Sequence, residues 1–443
     1  MDRRKFLKGM GAAVSIPFLM KGGLYGQNKR PSNTLNIGVI GLGYMCNRHV
    51  GTLMVNPRCR IVALCDIDDT RLNFQKARVE DHYKKENISS DIKLYKDFRD
   101  VLANKDVDAV FIVTPDHWHA INCILAAKAG KHIFCEKPLT FSIEEGRKVE
   151  EAVKKAGVVF QLGSFQRSEE AFRKAAFIAR NGYIGEIKEF YGELNYKMPC
   201  IKNWTEEPIP PNMDWDMWCG PAPYNPYSNY MCPNIIDPKA ESPYDIYGGF
   251  PDWRSHRDYS NANQTDWGAH HYDIALWALG LDGKGIKRAV VTDKNDAKGF
   301  PNWRQFYLET ETGIKIYKGR LPEVGLADGA IFVGTEGVVS ANRGDKFYCS
   351  KPYLFDIKYD ESDVTYMRNT GHIENFLDGC FYGTRTIADV SAGRSSCEAC
   401  LVGMISSQLG KTLEWDYVSG RFTNCEEANK FLGRKARGQW AKI

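Results

Sequence analysis

The sequence predicts an α/β domain built on a parallel, doubly wound sheet, followed by a larger α+β domain. Three observations lead there. The stretch LNIGVIGLGYMC over residues 35–46 reads as a short buried strand (Leu35, Ile37, Val39, Ile40) that turns through Gly41-Leu42-Gly43 into a helix. Short apolar strands then alternate with charged helical stretches up to about residue 163. Beyond that point strand-like segments recur with polar turns, interrupted by a long Pro-, Trp- and Tyr-rich stretch. These patterns divide the chain into an N-terminal segment (1–33), an α/β domain (34–163), an α+β domain (164–416) with an insert at 197–263, and a tail (417–443).

Composition narrows the classes. The 443 residues leave ample core for two or three domains. A net charge of +4 from 59 basic and 55 acidic residues carries no long-range field suited to nucleic acid. The 13 cysteines are scattered singly apart from Cys397 and Cys400, and a lone C-x-x-C has no second half for a zinc site. His117/His119 and His270/His271 lack metal-ligand company, so no metal is expected. The first residues, Arg3-Arg4-Lys5-Phe6-Leu7-Lys8 before a short apolar run from Met10 to Met20, resemble a twin-arginine export signal. That run is too short to span a bilayer, so the expected protein is periplasmic and not integral to the membrane.

In order, the strands of the first domain are Leu35–Ile40, Arg60–Asp66, Lys93–Tyr95, Asp108–Val113, Lys131–Cys135 and Val158–Leu162. The Gly-x-Gly turn lets backbone N–H groups approach a pyrophosphate at a helix N-terminus, with Cys46 at the third fingerprint position in place of glycine. Asp66 ends the second strand 25 positions after Gly41, where a carboxylate accepts adenosine ribose hydroxyls and repels a 2′-phosphate. NAD is therefore expected over NADP, with Arg71 a counterweight. Two loops at strand carboxyl ends, Thr114-Pro115-Asp116-His117-Trp118-His119 and Glu136-Lys137-Pro138, should face the nicotinamide side. Asp116 and His117 can equally serve as helix caps.

Gly41-x-Gly43, Asp66, the Thr114-Pro115 loop and above all Glu136-Lys137-Pro138 resemble the Gfo/Idh/MocA family, the glucose-fructose oxidoreductase and inositol dehydrogenase group. The resemblance covers nearly the whole chain after the N-terminal segment. It implies a Rossmann domain followed by an open mixed, largely antiparallel sheet that often packs against another subunit, hence a homo-oligomer. The family's Asp-x-Gly-x-His-x-x-Asp pattern matches at Asp266, Gly268, His270 and Asp273, while its preceding glycine run is replaced by Asn261-Ala262-Asn263-Gln264. Trp-Gly-Pro-Ala-Pro-like and Asp-Trp-Arg segments of the insert look like those of exported members with an enlarged second domain.

The candidate cofactor contacts are Gly41, Gly43, Tyr44, Met45, Asp66, Arg71, Thr114, Pro115, His119, Glu136 and Lys137. Candidate substrate contacts are Trp253, Arg254, Arg257, Gln166 and Asp273. Following the resemblance, His270 acts as base, Asp266 orients its imidazole, and Lys137 donates to the substrate oxygen. The expected substrate is a small sugar or glycoside oxidised at a secondary hydroxyl, with C3 the expected position. A redox-neutral NAD-dependent glycosidase, for which Tyr196 or His271 could supply a second acid or base, and a non-catalytic NAD-containing sugar-binding protein are the alternatives.

Overall fold

The computed structural model describes residues 34–194, 199, 204–240, 245–297, 300–319, 321, 329–358 and 371–443. The export-signal reading and Tyr196 lie outside the described residues. Two sheets organise what is described. The first has six parallel strands, β1 (Leu35–Ile40), β2 (Cys59–Cys65), β3 (Lys93–Tyr95), β4 (Ala109–Ile112), β5 (His132–Cys135) and β6 (Phe160–Leu162), in the order β3-β2-β1-β4-β5-β6. Strands covered by helices on both faces must be apolar throughout, and β4 is buried at every position. The chain reverses direction of winding between β1 and β4, which opens a crevice at the strand carboxyl ends.

The second sheet is open and mixed. Its nine strands are β7 (Ile187–Gly192), β8 (Arg288–Ala297), β9 (Phe300–Glu309), β10 (Lys315–Lys318), β11 (Ala330–Gly334), β12 (Gly337–Asn342), β13 (Lys346–Cys349), β14 (Leu413–Asp416) and β15 (Arg421–Phe422). They run in the order β13-β12-β11-β7-β10-β9-β8-β14-β15, with only β7 and β10 paired in parallel. The Gly334-Thr335-Glu336-Gly337 turn closes the β11–β12 hairpin as its residues suggest. Three helices cover one face: Glu170–Arg180, Gly268–Ala278 and Val390–Leu409.

The last of these is a small-residue helix, and that sets its distance. A Cβ on Gly403 would meet the Phe306 ring of β9 at 2.2 Å, and one on Gly268 would meet Cys400 Sγ at 2.6 Å. The helix that carries His270 is thereby seated against the buried core. It is also anchored by charge. Arg167, wholly buried, donates from Nε and Nη2 to Asp273 at 2.6 and 2.7 Å and from Nη1 and Nη2 to Asp282 at 2.8 Å each. Ser396 Oγ donates to Asp273 Oδ1 at 2.5 Å. Here the structure corrects the expectation for Asp273. Both of its oxygens are consumed by packing contacts, so it stitches helices together and is not available to a substrate.

Removing one partner of this buried pair leaves an uncompensated charge, which costs about 3–5 kcal/mol. Asp273→Asn is expected to lower the urea midpoint accordingly while cofactor affinity of the folded protein stays unchanged, read by denaturation and calorimetry. The folded state also holds two neutral histidines. His372 accepts or donates between Ser168 Oγ and the Leu162 carbonyl, and His117 faces the Trp218 carbonyl. Burial lowers their pKa values to about 4 and about 3. An unfolded histidine takes up its proton near pH 6.5. Stability is therefore full above that pH and falls as acid is added, by about 1.4 kcal/mol per pH unit for each histidine. Denaturation midpoints measured from pH 7 to pH 4 check this slope.

Candidate active site

The glycine turn works as its residues predict. Gly41 has φ +89°, and a Cβ there would sit 2.7 Å from the Thr114 backbone nitrogen, so only glycine lets β1 and the β4 loop approach. Helix Cys46–Met54 follows with no acidic residue in its first turn, leaving its N-terminus open to an anion. Asp66 is fixed at the end of β2. Its Oδ2 accepts from Leu42 N at 2.6 Å and its Oδ1 from Asp68 N at 3.0 Å.

A cleft runs from this turn along the carboxyl ends of the strands. Every candidate cofactor residue lines it: Gly41, Gly43, Tyr44, Met45, Asp66, Arg71, Thr114, Pro115, His119, Glu136 and Lys137. His119 ties the two loops together, its ring nitrogens bridging the carbonyls of Pro138 at 2.6 Å and Thr114 at 2.8 Å. Asn122 Oδ1 is buried at the same wall with no hydrogen-bond partner among the described residues, an acceptor left for a ligand. The glycine cradle, the ribose-side carboxylate and this acceptor fit a dinucleotide. Among the described residues no group of three His, Cys, Asp or Glu side chains is placed to hold a metal.

The insert roofs the adenosine end. Asn212 accepts from Asp69 N at 3.0 Å, Asp214 N donates to the Ile67 carbonyl at 3.1 Å, and Arg71 Nη2 donates to the Pro233 carbonyl at 2.6 Å. Gln75 donates to Tyr247 OH at 2.9 Å, and the Tyr44 and Phe250 rings lie 4.7 Å apart. Arg71 is thus engaged with the insert and with Asp68.

At the other end three segments meet on one carboxylate. Lys137 Nζ donates to Asp266 Oδ1, and Arg254 Nη2 donates to Asp266 Oδ2 at 2.5 Å. Burial opposes ionisation of Asp266, yet the two cations hold its carboxyl well below the usual carboxylate range. Glu136, next to Lys137, is buried as well. Burial alone would raise its pKa, but a 2.8 Å bond to His49 Nε2 and the Lys137 backbone N–H at 3.1 Å keep it low and ionised.

His270 stands beside this group on helix Gly268–Ala278. Burial first, then the charges of Lys137 and Arg343, hold it well below an ordinary histidine, so its imidazole is neutral and able to accept a proton. Its Nδ1 has no partner among the described residues. The expected Asp266–His270 bond is not formed; the Asp266 oxygens accept instead from Lys137 and Arg254. Asp266 closes the short helix Asn263–Asp266, while His270 belongs to the next one.

Trp253 and Arg254 line the cleft, as expected of substrate contacts. Arg257 does not. The 3-10 turn Asp252–Ser255 ends into extended backbone at His256, which carries Arg257 to a separate cavity with Asn261, Leu401 and Arg434. Gln166 is buried beside His270, its amide assigned so that nitrogen donates to the His270 carbonyl and oxygen accepts from Arg343 Nε, both at 3.2 Å. Sequence reasoning missed His49 and Arg343. His49 lies on the helix directly after the glycine turn, so the helix period could have placed it toward the sheet; nothing local marks Arg343.

Residues 35–164 match the oxidoreductase family with an NAD-binding Rossmann fold, and residues 192–442 match that family's C-terminal alpha/beta domain. The chain belongs to the Gfo/Idh/MocA oxidoreductase family, and its first domain is the NAD-binding one. It is 36% identical over 178 residues to "Uncharacterized oxidoreductase YrbE" of Bacillus subtilis, covering 40% of this chain and 46% of that protein. It is 29% identical over 181 residues to the myo-inositol 2-dehydrogenase of Thermotoga maritima, covering 41% and 48%. The chain thus spans about half the length of the curated relatives it matches. The aldose-aldose oxidoreductase of Caulobacter crescentus shares the fold, with a TM-score of 0.56 at 17% identity over 86% of this chain and 99% of that one.

Asp66 carries the cofactor choice in this geometry. Asp66→Ala is expected to weaken NAD binding by about tenfold and to narrow the preference for NAD over NADP, as two paired titrations on cofactor-stripped protein will show.

Proposed function

We propose that this protein is an exported oxidoreductase that oxidises a secondary hydroxyl of a sugar or glycoside, C3 in the first instance, with NAD held through turnover. The reading rests on one observation above the others: Lys137, ordered by Asp266, and the neutral imidazole of His270 stand together beyond the carboxyl end of β5, beside a cleft shaped for a dinucleotide. Nicotinamide bound there would supply the hydride acceptor. The protein's own groups handle the proton. His270 takes it from the hydroxyl, and Lys137 donates to the oxygen as negative charge develops on it. Asp266 aims the Lys137 amine rather than orienting the base.

Two further parts follow from the same molecule. The insert's clasp on Asp69, Arg71 and Gln75 supports a resident cofactor, since leaving the cleft requires breaking those contacts. A resident cofactor suits the export that the twin-arginine segment suggests, because free dinucleotide is scarce outside the cytoplasm. We take the working partner to be a small sugar or polyol and the assembly to be a homo-oligomer.

The test is absorbance in the reduced-nicotinamide band on the purified protein, without added cofactor, during addition of hexoses and α- and β-glycosides. A rise that persists is the expected result. Release of free sugar with solvent deuterium at C2 would replace this reading by the redox-neutral glycosidase, and silence across the panel would leave a cofactor-containing binding protein. Lys137→Met is expected to lower the rate of reduction by about 10²–10⁴-fold with cofactor content unchanged, read in the same assay.

A further inference from the structure

Two exposed arginines, Arg343 beside His270 and Arg48 on the helix after the glycine turn, make no direct contact with the proton-handling groups above. Arg343 follows β12, in the turn to β13. Its Cζ lies 4.6 Å from the centre of the Trp267 ring, and its Nε is held by the Gln166 amide, which in turn bonds the His270 carbonyl. Arg48, on helix Cys46–Met54, lies with its Cζ 4.4 Å from the centre of the Phe165 ring. Lys137 and Arg254 share the carboxylate of Asp266. Arg343 and Arg48 have no such partner among the described residues. Glu169 is within electrostatic reach of both arginines, with Asp345 close to it, and burial raises its pKa while the two arginines lower it.

A guanidinium stacked on a ring and held at Nε has both terminal nitrogens left to donate, in a fork already oriented. That fork matches two oxygens of a carboxylate or phosphate. Its place fits a substrate contact. Arg343 is close enough to His270 for its charge to act on the imidazole, and the Trp267 ring it stacks on lies 6.1 Å from the His270 ring.

We propose that Arg343, flanked by Arg48, reads an anionic substituent of the substrate, so that this protein prefers a sugar or polyol carrying a carboxylate or a phosphate over its neutral parent. The inference rests on the cleft being a sugar or polyol site and names the class of compound it selects.

Calorimetry on the holoprotein tests it without needing turnover, using glucuronate, galacturonate, glucose 6-phosphate, glucose and galactose. At least one anionic sugar is expected to bind about tenfold more tightly than its neutral parent, and added salt is expected to narrow the gap. The uronates and the phosphate, compared, say which anion is read. Arg343→Gln is expected to remove about tenfold of the anionic sugar's affinity and leave the neutral sugar unchanged, and Arg48→Gln to remove less. In turnover, Arg343→Gln is expected to raise KM for the anionic sugar and not for the neutral one, while any kcat change from losing its charge beside His270 is common to both sugars. Equal binding of neutral and anionic sugars, equal weakening of both by Arg343→Gln, or binding of none overturns the inference. The two readings fail separately. Arg343-dependent binding without cofactor reduction sinks the oxidoreductase proposal alone, and reduction by neutral sugars with no anionic preference sinks this one alone.

Discussion

Asp266 is the point on which the site depends. It brings Lys137 from the loop after β5, Arg254 from the insert and the start of the His270 helix to one carboxylate. Three cationic or titratable groups that close together would repel, and His270 already responds by staying neutral. The buried carboxylate makes the cluster affordable and holds the lysine amine in place.

The same logic repeats one residue before Lys137. Glu136 is buried, held by His49 on the helix that leaves the glycine turn, and accepts from the Lys137 backbone. The cofactor turn and the catalytic loop are thereby joined through a single hydrogen-bonded pair, so displacement of one is felt by the other. Beneath both, Gly41 permits backbone contact with Thr114, and His119 spans the two loops. Around this floor the insert forms a wall, with Arg254, Trp253 and Tyr247 lining the cleft.

Much of this was legible beforehand. Short apolar strands alternating with helices dictate a parallel sheet because only helices on both faces can cover them. The glycine turn, Asp66 and the two loops at strand ends follow from that topology, and Gly41, Gly43, Asp66, Thr114, Pro115, Glu136 and Lys137 line one cleft. The errors have a common cause. Asp273 and Arg257 were placed by their neighbours in sequence, but Asp273 points into the helix-packing layer and Arg257 lies past the end of a 3-10 turn.

The sequence by itself determined the periodicities, the turn that needs glycine, and the residue types able to move a proton and a hydride, because these depend on contacts within a few residues. Only the tertiary structure decided which of them meet. Lys137 and Asp266 lie 129 positions apart, and His49 and Glu136 lie 87 apart. Whether Asp266 serves a histidine four residues away or a lysine on another sheet is a contest between partners in space, and the two cations won both oxygens. No local pattern records that outcome, since it is set by how the two sheets and the insert pack.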